Sequence, residues 1–115
     1  MSAETSNTTE DLRAIWGGGA TNIVVVGGNA AVVRYDGASW KASQAASTSA
    51  TLRDVWGAGA AYVIAVGSGG SIYRSYGGSW SKMSSGTISA LNGVWGSSSS
   101  DVFAVGQSGI ILHKH

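Results

Sequence analysis

The hexapeptides LRAIWG at 12–17, LRDVWG at 52–57 and LNGVWG at 91–96 decide how this chain is read. Their tryptophans, Trp16, Trp56 and Trp95, lie 40 and 39 residues apart. A second landmark follows each at the same offset: VVVGG at 24–28, IAVGS at 64–68 and FAVGQ at 103–107. A third, YDGASW at 35–40, is matched by YGGSW at 76–80. Three landmarks in fixed order at a common period make the chain an array of repeats of about 40 residues, the range of one supersecondary unit.

Within one repeat the spacing predicts four short strands. In the central copy they are Leu52–Trp56, stopping at Gly57; Tyr62–Val66; Ser71–Ser75; and Trp80–Met83. Small-residue turns at Ala58 to Ala60, at Ser68–Gly70 and at Gly77-Gly78 separate them. Turn residues between short β-branched and aromatic runs are the signature of hairpins, and no segment carries the 3.6-residue apolar period of a helix. The second strand is apolar at every position (Ile23–Val26, Val63–Val66, Val102–Val105), as in a sheet covered on both faces. A four-stranded antiparallel sheet, covered on both faces and repeated every 40 residues, describes a β-propeller blade. A solenoid would need polar capping repeats, and the outer copies are as apolar as the middle one.

The frame gives an orphan fourth strand and linker at 1–11, blades at 12–51 and 52–90, and a last blade at 91–115 lacking its fourth strand. Three blades are too few for a ring, since propellers close with about four to eight. Open ends would expose apolar faces and an unpaired edge at Ile110–His113. The expectation is a homodimer forming one six-bladed ring, with residues 1–11 of each chain exchanged to complete the other's last blade. The alternatives are a trimer or larger ring, or an unclosed or aggregated fragment.

Charge says little about partners. The 115 residues hold 7 Lys+Arg against 6 Asp+Glu, so neither nucleic acid nor an anionic membrane is an expected partner. With no cysteine there is no disulfide framework or thiolate metal site, and the compartment stays open. No apolar run approaches the ~20 residues of a membrane span. A soluble protein is therefore expected, and MSAETSNTTED, at 1–11, lacks the basic and apolar regions of a secretion signal. Glycine, serine and alanine are abundant, but 43% hydrophobic residues and five tryptophans argue for a packed fold over disorder.

The pattern LRDVWG, DVFAVGQSGIILH, YDGASW resembles the bacterial propeller repeats of the BNR/Asp-box and YVTN-like kind, over essentially the whole chain. The resemblance implies four-stranded blades with the W-G element in the innermost strand. It would place an Asp-box aspartate at Asp36, although the box is one residue short there and Tyr76 replaces the aspartate in the second copy. Such boxes are mostly structural turns. The arginine triad, tyrosine nucleophile and acid of sialidases cannot be assigned, so no sialidase activity carries over.

Trp16, Trp56 and Trp95 read as inter-blade packing, because they recur in every blade; the alternative is a ring of stacking platforms for sugars. Trp40 and Trp80 open the fourth strand nearer the rim, where a glycan could stack between blades. Arg34, Arg74 and His113 share one repeat position and Arg13, Arg53 and Asn92 another, as solvated residues, partners of Asp36, Asp54 and Asp101, or one site per blade interface. His113 and His115 share a strand face but have no third ligand, so no metal site is expected. No nucleophile–base set can be assembled, and the glycine-rich turns lack the helix and lysine of a phosphate loop. The expected function is therefore a non-enzymatic propeller fragment or scaffold that self-assembles into a closed ring, without cofactors. The alternative is a lectin-like binder using Trp40, Trp80, Arg34 and Arg74.

Overall fold

The computed structural model describes residues 1–59 and 61–115; Ala60, the last residue of the expected 58–60 turn, lies outside them. Among the described residues eleven strands form three antiparallel sheets. The first contains β1 (Leu12–Gly19), β2 (Asn22–Gly27), β3 (Ala31–Tyr35) and β4 (Trp40–Gln44), in that order. The second contains β5 (Leu52–Gly59), β6 (Tyr62–Gly67), β7 (Ile72–Ser75) and β8 (Trp80–Met83). The third has three strands, β9 (Leu91–Ser98), β10 (Asp101–Gly106) and β11 (Ile111–Lys114). Residues 1–11 contain no strand.

Register repeats with sequence. Trp16 pairs with Val24, Trp56 with Ile64 and Trp95 with Phe103. Arg34, Arg74 and His113 pair with the same three residues from the other side. Each second strand enters a 3-10 turn whose first N–H donates back to the carbonyl before the sheet's first strand, at 3.0 Å for Gly28 to Asp11, 3.0 Å for Ser68 to Thr51 and 2.9 Å for Gln107 to Ala90. The last residue of that turn has positive φ in every copy: 54° at Ala30, 75° at Gly70 and 70° at Gly109.

The first strands of the sheets overturn one expectation. The glycine after each tryptophan does not stop the strand, which runs on through Gly57 to Gly59, with Gly57 paired to Val63. That glycine stands there for a tertiary reason.

The sheets stack face to face around two cores. Val24, Val26 and Val32 of the first sheet meet Leu52, Val55, Val63, Ala65 and Tyr73 of the second. Ile64, Val66 and Ile72, on the second sheet's other face, meet Leu91, Val94, Val102 and Ala104 of the third. All six residues of β6 are buried, as an all-apolar strand requires. The outer strands β2 and β10 carry the same sequence type but are fully covered on one face alone.

Candidate functional site

The interfaces between sheets are built from one contact used twice. The Trp16 indole lies on Gly57 of the next sheet, and the Trp56 indole on Gly96 of the one after. A Cβ at Gly57 would stand 2.7 Å from Trp16 Cη2 and Cζ2, and one at Gly96 would stand 2.7 Å from Trp56 Cη2. Carbon atoms prefer about 3.5–4.0 Å, so only a residue without a side chain leaves the indole its seat. The central pair, Trp56-Gly57, thus supplies a knob to the sheet ahead and a seat to the sheet behind. The dipeptide signals this in the sequence, but only the paired sheets reveal the partner.

The series is open at both ends. Trp95 is 60% exposed, with no glycine beneath it. Gly17 is exposed, and the nearest atoms to a Cβ there are Ile23 Cγ1 at 3.8 Å and the Asn22 carbonyl oxygen at 4.0 Å. The surrounding positions behave alike. On the forward face Val26 and Val66 are buried while Val105 is exposed, and Val32 and Ile72 are buried while Ile111 is exposed. On the rear face Leu52 and Leu91 are buried while Leu12 is exposed, and Val55 and Val94 are buried while Ile15 is exposed. At the rim, β11 pairs with β10 alone, whereas β3 and β7 each pair with a fourth strand.

The four residues singled out for binding fall into three separate places. Arg34 and Trp80 come together across the first interface: the guanidinium carbon lies 5.5 Å from the Trp80 ring centre, and Arg34 Nη2 donates to Ser75 Oγ at 3.0 Å. Ser75 is fully buried; its hydroxyl donates to the Gly78 carbonyl at 3.1 Å and accepts from Gly77 N–H at 3.2 Å. Burial draws the Arg34 pKa below that of a free guanidinium. Arg74 instead lies over Tyr76, 4.7 Å from the ring centre. Trp40 packs on Tyr35 at 4.8 Å on the rear side of the first sheet, and its indole N–H donates to Glu4 Oε1 at 2.8 Å.

Asp36 proves to be a turn residue. Its Oδ1 accepts from the backbone N–H of Ala38 and Ser39, both at 2.9 Å, and these bonds, led by Ser39, hold its carboxyl below the usual range. Where Tyr76 replaces it, the Ser75 hydroxyl takes the turn contacts. On the outward face of the third sheet, His113 Nε2 meets Asp101 Oδ1 at 2.6 Å and its ring stacks on Phe103 at 3.9 Å. Hydrogen bonds from Ser97 and then His113 hold the Asp101 carboxyl low. Among the described residues no three His, Cys, Asp or Glu side chains are grouped to hold a metal, and no helix is long and apolar enough to cross a membrane.

No protein-family model matches this chain, and no curated protein matches it. Among solved structures it is similar to the β-propeller protein YCF48 from Cyanidioschyzon merolae, with a TM-score of 0.76 and 20% identity over 94% of this chain and 38% of that one. That likeness establishes a propeller-type repeat fold, with the three sheets as blades, and does not single out Asp-box repeats. The chain spans 38% of the length of that structure.

Proposed function

We propose that this chain is a non-enzymatic propeller module whose forward and rear faces are made for one another, so that two copies close head to tail into one six-bladed ring. The observation that carries the reading is the vacant Gly17 seat together with the exposed Trp95 knob, at the two ends of a series whose internal members are filled. Trp95 of one copy would rest on Gly17 of the other, and the second closure would repeat the contact. Leu12 and Ile15 would be covered by Val105 and Ile111 of the partner, at about 1.5–3 kcal/mol for each large apolar side chain fully buried. Six blades fall inside the range in which propellers close.

Closure has a conformational requirement. Residues 2–10 lie along the rear side of the first blade, held by Glu4 at the Trp40 indole, by Asn7 Nδ2 donating to the Trp40 carbonyl at 2.6 Å, and by Asn29 Nδ2 donating to the Glu10 carboxylate at 3.0 and 3.1 Å. Val33 on that face is fully buried, and Ser2, Glu4 and Ser6 line one depression with Val25, Val33 and Trp40. An incoming third blade needs that surface. The segment therefore leaves it and becomes free to pair with β11 of the partner as the missing fourth strand.

Gly17→Ala tests the seat. Within one chain its methyl group meets nothing closer than 3.8 Å, so the fold of the monomer is untouched. In the ring the methyl lies under Trp95 at both closures; at about 1 kcal/mol or more each, dimer affinity falls at least about thirtyfold. Sedimentation equilibrium should show a dimer for the unmodified chain and a folded monomer for the variant. Equal masses for the two proteins would overturn the reading.

A further inference from the structure

The two central interfaces differ at one point that the ring does not explain. Arg34, in the first interface, donates to Ser75 and is covered by Trp80. Arg74 holds the same repeat position in the second interface and has neither partner. The place of Ser75 is taken there by Lys114, which pairs with Val102 as Ser75 pairs with Val63. Lys114 is a donor, and its ammonium is engaged with the Ser99 carbonyl at 3.2 Å. The place of Trp80 has no counterpart, because the third sheet has three strands.

Among the described residues, two buried side-chain polar atoms lack a hydrogen-bond partner: Arg74 Nε and the Tyr62 hydroxyl. Both belong to the second blade's forward side. Both abut one ring, since Tyr76 lies under Arg74 and packs edge-on to Tyr62 at 5.9 Å. Tyr62 is 8% exposed; burial, the largest influence on its phenol, raises its pKa, so it stays a donor at neutral pH. No carboxylate among the described residues accepts from either atom. Asp54 Oδ2 accepts the Val94 N–H at 2.8 Å, and Asp101 binds Ser97 and His113 on the outward face of the third blade. A buried guanidinium N–H and a buried phenol O–H with nothing to accept them are an unfilled demand for acceptor oxygens.

We propose that Arg74 and Tyr62, whose unpartnered donors flank the exposed Tyr76 ring on the second blade's forward side, bind an oxyanion: the carboxylate, sulfate or phosphate group of a small ligand. Arg74 supplies charge and a directed N–H, Tyr62 a second donor, and the Tyr76 ring a flat wall beside the bound group. The site lies within one chain and does not rest on ring closure.

The test is a titration followed by NMR on the arginine Nε–H signals, with inorganic phosphate, sulfate and glucuronate added separately at constant ionic strength. The Arg74 signal should move saturably with at least one of the three while the Arg34 signal stays still, and the tightest of them identifies the oxyanion. Tyr62→Phe should weaken that binding about tenfold through loss of one charge-assisted bond. Arg74→Gln should abolish it, and Arg34→Gln should leave it intact. No saturable shift of Arg74, or shifts of equal size at Arg34, overturns the proposal; this readout on the unmodified chain needs no variant to fold. The mass of the same sample separates this outcome from that of ring closure.

Discussion

Replacing Gly57 by alanine puts one methyl group into the seat of Trp16. The new carbon would lie 2.7 Å from Cη2 and Cζ2 and 2.8 Å from Cε2 of the indole, so the rigid ring must retreat by about 0.8–1.3 Å to regain normal contact. Overpacking of this kind costs about 1–3 kcal/mol, and alanine returns about 0.5–1 kcal/mol over glycine within a strand. The expected net loss is about 0–2.5 kcal/mol. Trp16→Ala removes the knob; as Trp16 is half-buried, its loss should fall below the 3–5 kcal/mol of a fully buried tryptophan, at about 2–3 kcal/mol. The informative quantity is the coupling between the two changes. Without the indole the Gly57→Ala methyl has no clash, so the same substitution should stabilise by about 0.5–1 kcal/mol, giving a coupling of about 1–3 kcal/mol. Urea unfolding of the four proteins at one fixed protein concentration measures it, the concentration being held because association shifts apparent stability. If Gly57→Ala costs the same with and without Trp16, the indole–glycine lock is not what holds the blades together.

Gly70→Ala should destabilise by about 2 kcal/mol or more, since φ is 75° there and a Cβ would run into the Thr87 carbonyl oxygen; thermal unfolding reads the loss, and an unchanged midpoint would refute it. Asp36 and Asp101 should titrate below the ordinary value of 3.8, which carboxyl NMR shifts against pH will show. Because both folded-state pKa values are depressed, their contribution is complete above the unfolded value and is lost as pH falls through the folded ones; Asp36→Asn should therefore flatten the acid limb of the stability profile.

The architecture was readable because the same physics is written three times. An all-apolar strand flanked by glycine turns at a fixed period leaves little choice but a stack of covered sheets, and Tyr62–Gly67 is buried along its whole length as that pattern demands. Where the reading misled, the cause was tertiary. Gly57 looks like a strand terminator from its neighbours, and its real work is done for Trp16, 41 positions earlier. Local propensity holds no record of such a partner. The residues chosen for binding show the same limit. Trp80 and Arg34 meet one another across an interface, and Arg74 gains its interest from what fails to meet it. Equivalent positions in the sequence became inequivalent because the third sheet has three strands. Ala30 marks a smaller departure, adopting the positive φ that its counterparts Gly70 and Gly109 take without strain.

Native mass spectrometry of the unmodified chain tests the central claim most directly. Head-to-tail closure predicts one species at twice the 11.6 kDa chain mass, with no larger assemblies, because a closed ring leaves no face free. A single-chain mass, or an open-ended series of oligomers, would contradict it.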